Sequence, residues 1–148
     1  MSTAADLYER DFYAWAMRNA KLIRQGRLAE VDLSNVAEEL ESMGRSERRE
    51  LESRLEVLLM HLLKWRHQPG RWGASWESTI EVQRIDVQEV LDENPSLRPQ
   101  LPGLLAAAYR KARLKTAGET GLDRQVFPKV CPFSLEQVLD PHFWPEQK

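Results

Sequence analysis

The sequence predicts an all-α protein, an irregular helical bundle of about four main helices with a Pro-rich C-terminal wrap, and three observations carry that expectation. Apolar residues recur at three- and four-residue steps along most of the chain, which places them on one face of a helix. Prolines gather between those runs, where helices must end. No segment alternates apolar and polar residues with the β-branched enrichment of a strand.

Taken in order, Tyr8, Phe12, Trp15, Asn19, Leu22 and Ile23 share one face, so a first helix is expected over roughly 5 to 25. Thr3 or Asp6 can cap its start, because a short oxygen-bearing side chain reaches the free N–H groups of the first turn, and Gly26 can end it. Asp32 can cap a second helix whose apolar stripe runs through Leu33, Val36, Ala37, Leu40 and Met43. The stripe continues through Leu51, Leu55, Leu58, Leu62 and Trp65. Gly44 is its weak point, since glycine costs about 1 kcal/mol relative to alanine inside a helix. The apolar phase is kept across Gly44, which favours one long helix, kinked there or straight, over two helices meeting at that residue.

Pro69 and Gly70 end the long helix. Ser75 can cap a third, with Trp76, Ile80, Gln83, Val87, Val90 and Leu91 along one side and Asn94-Pro95 as its stop. PSLRPQLPG reads as a loop. A fourth helix follows from Leu101, turning Leu104, Leu105, Ala108, Tyr109 and Ala112 inward until Gly121. From Leu122 onward the chain is rich in proline and aromatics and should wrap the bundle. Ser134 with Gln137 forms a capping box for a short helix over roughly 135 to 139.

Composition bounds the function. At 148 residues, with 42% hydrophobic and 30% charged residues, the chain fits one helical domain over 1–148 with its own core. A net charge of -2 gives no global field to draw nucleic acid or anionic membrane. The single Cys131 excludes an intrachain disulfide and suits a reducing compartment. The start, MSTAADLYERDFYAW, lacks a basic and then apolar leader, and no apolar run reaches about 18 residues. A cytoplasmic location without membrane association is therefore expected.

A set of blocks carries a resemblance: LYERDFYAW, DLSNVAEELESMGRSERREL, HLLKW followed by Gln68-Pro69, SWESTI with Arg84 after it, NPSLRP and CPFSLEQVLD. In this order, over nearly the whole chain, they resemble the bacterial family known as domain of unknown function 29. The resemblance implies a small, mainly helical bacterial protein and brings no reaction, ligand or catalytic residue with it. It also implies an aromatic at position 67, where this chain has His67.

His61 and His67 lie six apart on nearly opposite helix faces, and Leu58 stands where an E-x-x-H carboxylate would be, so no metal site is expected unless Glu38, Glu39 or Glu119 came in from elsewhere. Cys131 in VCPF has no signal of a base or helix start to lower its pKa, and Ser75 has no G-x-S-x-G around it. Neither a P-loop nor G-x-G-x-x-G is present, and no cofactor is expected.

Two candidate sites remain. Lys64, Arg66, Arg71 and Trp72, with Trp65 and Trp76, interleave cations and flat rings as single-stranded nucleic-acid or phosphate binders do. Arg110, Lys111, Arg113 and Lys115 could extend that patch, although acidic residues of the third helix, Glu77 to Glu93, can answer these cations within the fold. His61, Arg84, Tyr109 and Glu119 form a candidate pocket between helices. Arg84 falls near the inward side of the third helix, where a buried charge requires a partner; Glu38, Glu39, Glu47 or Glu119 could supply it. No catalytic set emerges. The leading reading is a protein-interaction module without catalytic activity, binding itself or another protein. An enzyme or small-ligand binder is the alternative, and nucleic-acid binding at the Trp/Arg/Lys corner the second.

Overall fold

In the computed structural model, residues 4–146 are described, with side chains from Asp6 onward. Six α-helices occur, with no strand among the described residues: α1 Ala4–Arg10, α2 Phe12–Arg24, α3 Leu33–His67, α4 Ala74–Glu93, α5 Leu101–Thr120 and α6 Leu135–Leu139. The all-α expectation holds. The described residues up to Ser46 and those from Glu47 onward form two compact units, and α3 begins in the first and ends in the second.

In the first unit the expected single helix is two. Asp11 leaves the helical region at φ -153°, and its carboxylate accepts the Ala14 N–H at 3.0 Å, so it starts α2 instead of continuing α1. Aspartate serves better as a cap than inside a helix, and its side chain decides the break. Asp6 lies inside α1, and Thr3 lies outside the described residues. Gly26 ends the segment with a left-handed φ of 69°.

Polar contacts bind this unit together. Asn19, 2% exposed, donates to the Trp15 carbonyl and accepts the Asp32 N–H, each at 2.8 Å. The Trp15 indole N–H donates to Asp32 at 2.9 Å. Hydrogen bonds from the Asn35 side chain, Trp15 and the Asn35 backbone hold the Asp32 carboxyl below the usual carboxylate range. The Tyr8 hydroxyl donates to Glu39, and that bond, with burial, pushes its pKa up to about 12.

Helix α3 runs through Gly44 without interruption, as the kept apolar phase predicts. Its stripe is fully buried at Leu51, Leu55, Leu58 and Leu62. Around them the second unit packs Ile80, Val87 and Leu91 of α4, Leu104, Ala108 and Ala112 of α5, and Phe127, Phe133 and Val138 of the C-terminal wrap. Each large apolar side chain so buried is worth about 1.5–3 kcal/mol.

Three local expectations are corrected here. Helix α4 starts at Ala74 with Gly73 before it and no side-chain cap, and Ser75 lies inside the helix. The segment Pro95–Gln100 is a 3₁₀ helix leading directly into α5 and not a loop; prolines with fixed φ suit its tight first turn. The cations of α5 meet acids of α3: Lys111 lies 3.6 Å from Glu52 and Lys115 3.2 Å from Glu56. Of the α4 acids, Asp86 pairs with Arg54 of α3 at 2.8 Å. Gly121 ends α5 at φ 75°, and the Ser134–Gln137 capping box opens α6, both where the residues place them.

Candidate functional site

The stretch 61–76 spans the end of α3, a 3₁₀ turn at Pro69–Arg71 and the start of α4. Trp65 is stacked on Trp72 at 4.3 Å between ring centroids and 19° between planes, and it meets Trp144, tilted by 40°, at 4.5 Å. The Trp72 indole N–H donates to the Trp65 carbonyl at 2.7 Å, answering a carbonyl that the helix end leaves open. Trp76 is half-buried, with the Lys64 ammonium 5.9 Å from its ring.

Of the candidate anion-binding residues, Lys64 is paired with Glu119. Arg66 lies over the Phe133 ring at 5.9 Å, beside a cavity of about 270 Å³ lined also by Gln137 and Phe143. Arg71 is exposed in the 3₁₀ turn.

The candidate pocket residues have four different partners. His61 is half-buried, and its Nδ1 lies 2.9 Å from the Val57 carbonyl, which can only accept, so Nδ1 carries the proton. Burial above all, and Lys64, bring its pKa below the ordinary histidine value, while the Val57 carbonyl and Glu119 oppose that shift. Tyr109 donates to the Pro128 carbonyl; burial, then the neighbouring Cys131, pushes its pKa up to about 12. Tyr109 and Cys131 flank a separate cavity of about 410 Å³ with Arg110 and Lys129. Burial pushes the Cys131 thiol up, and the thiol donates to the Phe133 carbonyl at 3.4 Å.

Arg84 stands apart from these. It is 5% exposed, and its charge is met by backbone carbonyls at the end of α6: Nε donates to Val138 at 2.9 Å and Nη2 to Gln137 at 3.2 Å. This corrects the expected carboxylate partner. Glu47 accepts from Asn94 instead, and Glu119 takes Lys64. The open carbonyls of a helix C-terminus carry partial negative charge, which is where a guanidinium is favoured. Burial pulls the Arg84 pKa down, and Asp140 nearby opposes it.

The Trp144 ring lies 5.7 Å from the Arg84 guanidinium carbon, so one aromatic joins the Trp65 stack to Arg84. A cavity of about 570 Å³ opens beside it, lined by Glu77, Glu81, Arg84, Ile85 and Gln88 of α4 and by Leu139, Pro141 and Trp144. Trp144 is the residue that sequence reasoning missed; its place after Phe143 in a Pro-rich tail carries no periodicity to reveal it.

Among the described residues no group of three or more His, Cys, Asp or Glu is placed to hold a metal ion, and no helix is long and apolar enough to cross a membrane. No curated protein and no solved structure matches the chain. The family model for "Domain of unknown function DUF29" matches residues 7–144, nearly the full length, and the chain belongs to that family.

Proposed function

We propose that this protein is a protein-interaction module without catalytic activity that pairs with a second copy of itself through the first half of α3. One observation supports the reading. The stripe that is buried from Leu51 onward is bare before it, with Leu33, Leu40 and Met43 exposed at 59%, 62% and 64%. With half-buried Val36 these residues step by three, four and three, the spacing of a coiled-coil seam. A stripe of this kind is self-complementary, so two copies related by a two-fold axis bury the same residues on both sides. Phe12, Tyr13 and Met17 of α2, each more than half exposed, add apolar surface in the same unit. Exposed apolar side chains recurring along one helix face are the pattern of an interaction site.

The test is sedimentation of the full chain over about 1–100 µM, a range bracketing common dimer affinities. The wild type is expected to self-associate. Leu40→Asp with Met43→Asp, at exposed positions, is expected to weaken association by about 100-fold or more, because each apolar contact is worth over 1 kcal/mol, while leaving the circular dichroism unchanged. A wild type that stays monomeric over the whole range, or a double variant that associates equally well, contradicts the proposal.

A further inference from the structure

The cavity beside α4 lies wholly in the second unit and is independent of the α3 seam. Its polar groups have an order. Glu77, Glu81, Arg84 and Gln88 follow one another at steps of four, three and four, which sets them in a row along one side of α4. The remaining walls, Ile85, Leu139, Pro141 and Trp144, are apolar. Arg84 is 95% buried, from its 5% exposure, and uses Nε and Nη2 on the α6 carbonyls. Its Nη1 is buried with no acceptor. A buried donor of a charged group left unmet is costly, and Nη2, with one of its two N–H groups on Gln137, has a second N–H to offer a ligand oxygen.

We infer that this cavity binds a zwitterionic small molecule with an apolar body, of the class of the apolar α-amino acids, its carboxylate on Arg84, its ammonium on Glu81 and its side chain against Trp144. The charges select this class over simpler ones. A multiply charged anion such as phosphate would meet Arg84 but also face Glu77, Glu81 and the Asp140 near Arg84, a larger repulsion than a single carboxylate meets. A plain cation would satisfy the two glutamates but be repelled by the positive Arg84 guanidinium on the same wall. Three residues along a helix correspond to a rise of about 4.5 Å, so the backbone places Glu81 and Arg84 about one turn apart on the same cavity wall, one acid and one base for the two charged groups of an α-amino acid. The volume of about 570 Å³ lies within the range of small-molecule sites.

The experiment follows backbone amides and the tryptophan indole N–H signals of the ¹⁵N-labelled full chain by NMR during titration with L-phenylalanine, phenethylamine, N-acetyl-L-phenylalanine and inorganic phosphate. L-Phenylalanine is expected to shift the Trp144 indole and α4 amides with a Kd of about 1 mM or tighter. Phenethylamine, without the carboxylate, and N-acetyl-L-phenylalanine, without the ammonium, are each expected to bind about 10- to 100-fold more weakly, the worth of one hydrogen bond to a charged group. Glu81→Gln should weaken L-phenylalanine to a similar degree. Ile85→Trp, at a position 58% exposed and therefore tolerant of a larger side chain, should fill the cavity and abolish the shifts with the fold intact. No shift with L-phenylalanine up to about 10 mM, equal binding of the amine or of phosphate, or undiminished binding by Ile85→Trp overturns the inference.

Discussion

Leu58→Ala is expected to lower the unfolding free energy by about 3–4 kcal/mol, a fall in Tm of about 6–15 °C, because a fully buried leucine leaves both a lost transfer term and a cavity. Leu58 has no exposed surface and sits where α3 packs against the second unit's core. Leu40→Ala, on the same stripe but 62% exposed, is expected to change stability by no more than about 0.5 kcal/mol in dilute solution. Urea melts of the two variants beside the wild type read the difference. Equal losses at the two positions would mean that the stripe is covered along its full length.

The second large effect belongs to Arg84. Arg84→Met is expected to destabilise the chain by about 2–3 kcal/mol, which combines two charge-assisted hydrogen bonds and the contact with Trp144, less the desolvation cost regained when a buried charge is removed. The two carbonyls at the end of α6 lose their donors, so the loss should come with detachment of the wrap, seen as a change in the near-ultraviolet dichroism of the Trp65–Trp72–Trp144 stack. Arg84→Lys is expected to recover only part of the stability, since a single ammonium cannot reproduce the fork that reaches Val138 and Gln137 together. A methionine variant as stable as the wild type would show that the guanidinium does not tie α6 to α4.

These effects also mark what residue patterns reveal and what they conceal. The long helix, its passage through Gly44, the left-handed stop at Gly121 and the capping box at Ser134 all follow from spacing and from the conformational preferences of single residues. Local rules suffice there because neighbours along the chain decide the outcome. The break at Asp11 was legible in principle, as an aspartate with free backbone amides three residues on, but the apolar face running past it pointed the other way. The partner of Arg84 was not legible. Every residue offers a backbone carbonyl, so a search by side-chain charge finds glutamates, while the fold supplies the end of α6. Trp144 was hidden for a related reason: its contacts with Trp65 and Arg84 span more than fifty residues of sequence.

Periodicity equally fails to distinguish a face that packs within the chain from one awaiting a partner. Leu33, Leu40 and Met43 continue the phase of Leu51, Leu55 and Leu58, yet the first group is exposed and the second is not. The function proposed here rests on that division.

Residue-resolved hydrogen exchange along α3 at two protein concentrations tests the division most directly. The amides of Leu51–Leu63 should be protected to the level of global unfolding at both concentrations. Those of Leu33–Met43 should exchange faster in dilute solution and slow as the concentration rises and the second copy covers them. Uniform protection along the whole of α3, unchanged by concentration, would contradict the account and mark residues 1–148 as one cooperative domain whose apolar stripe needs no partner.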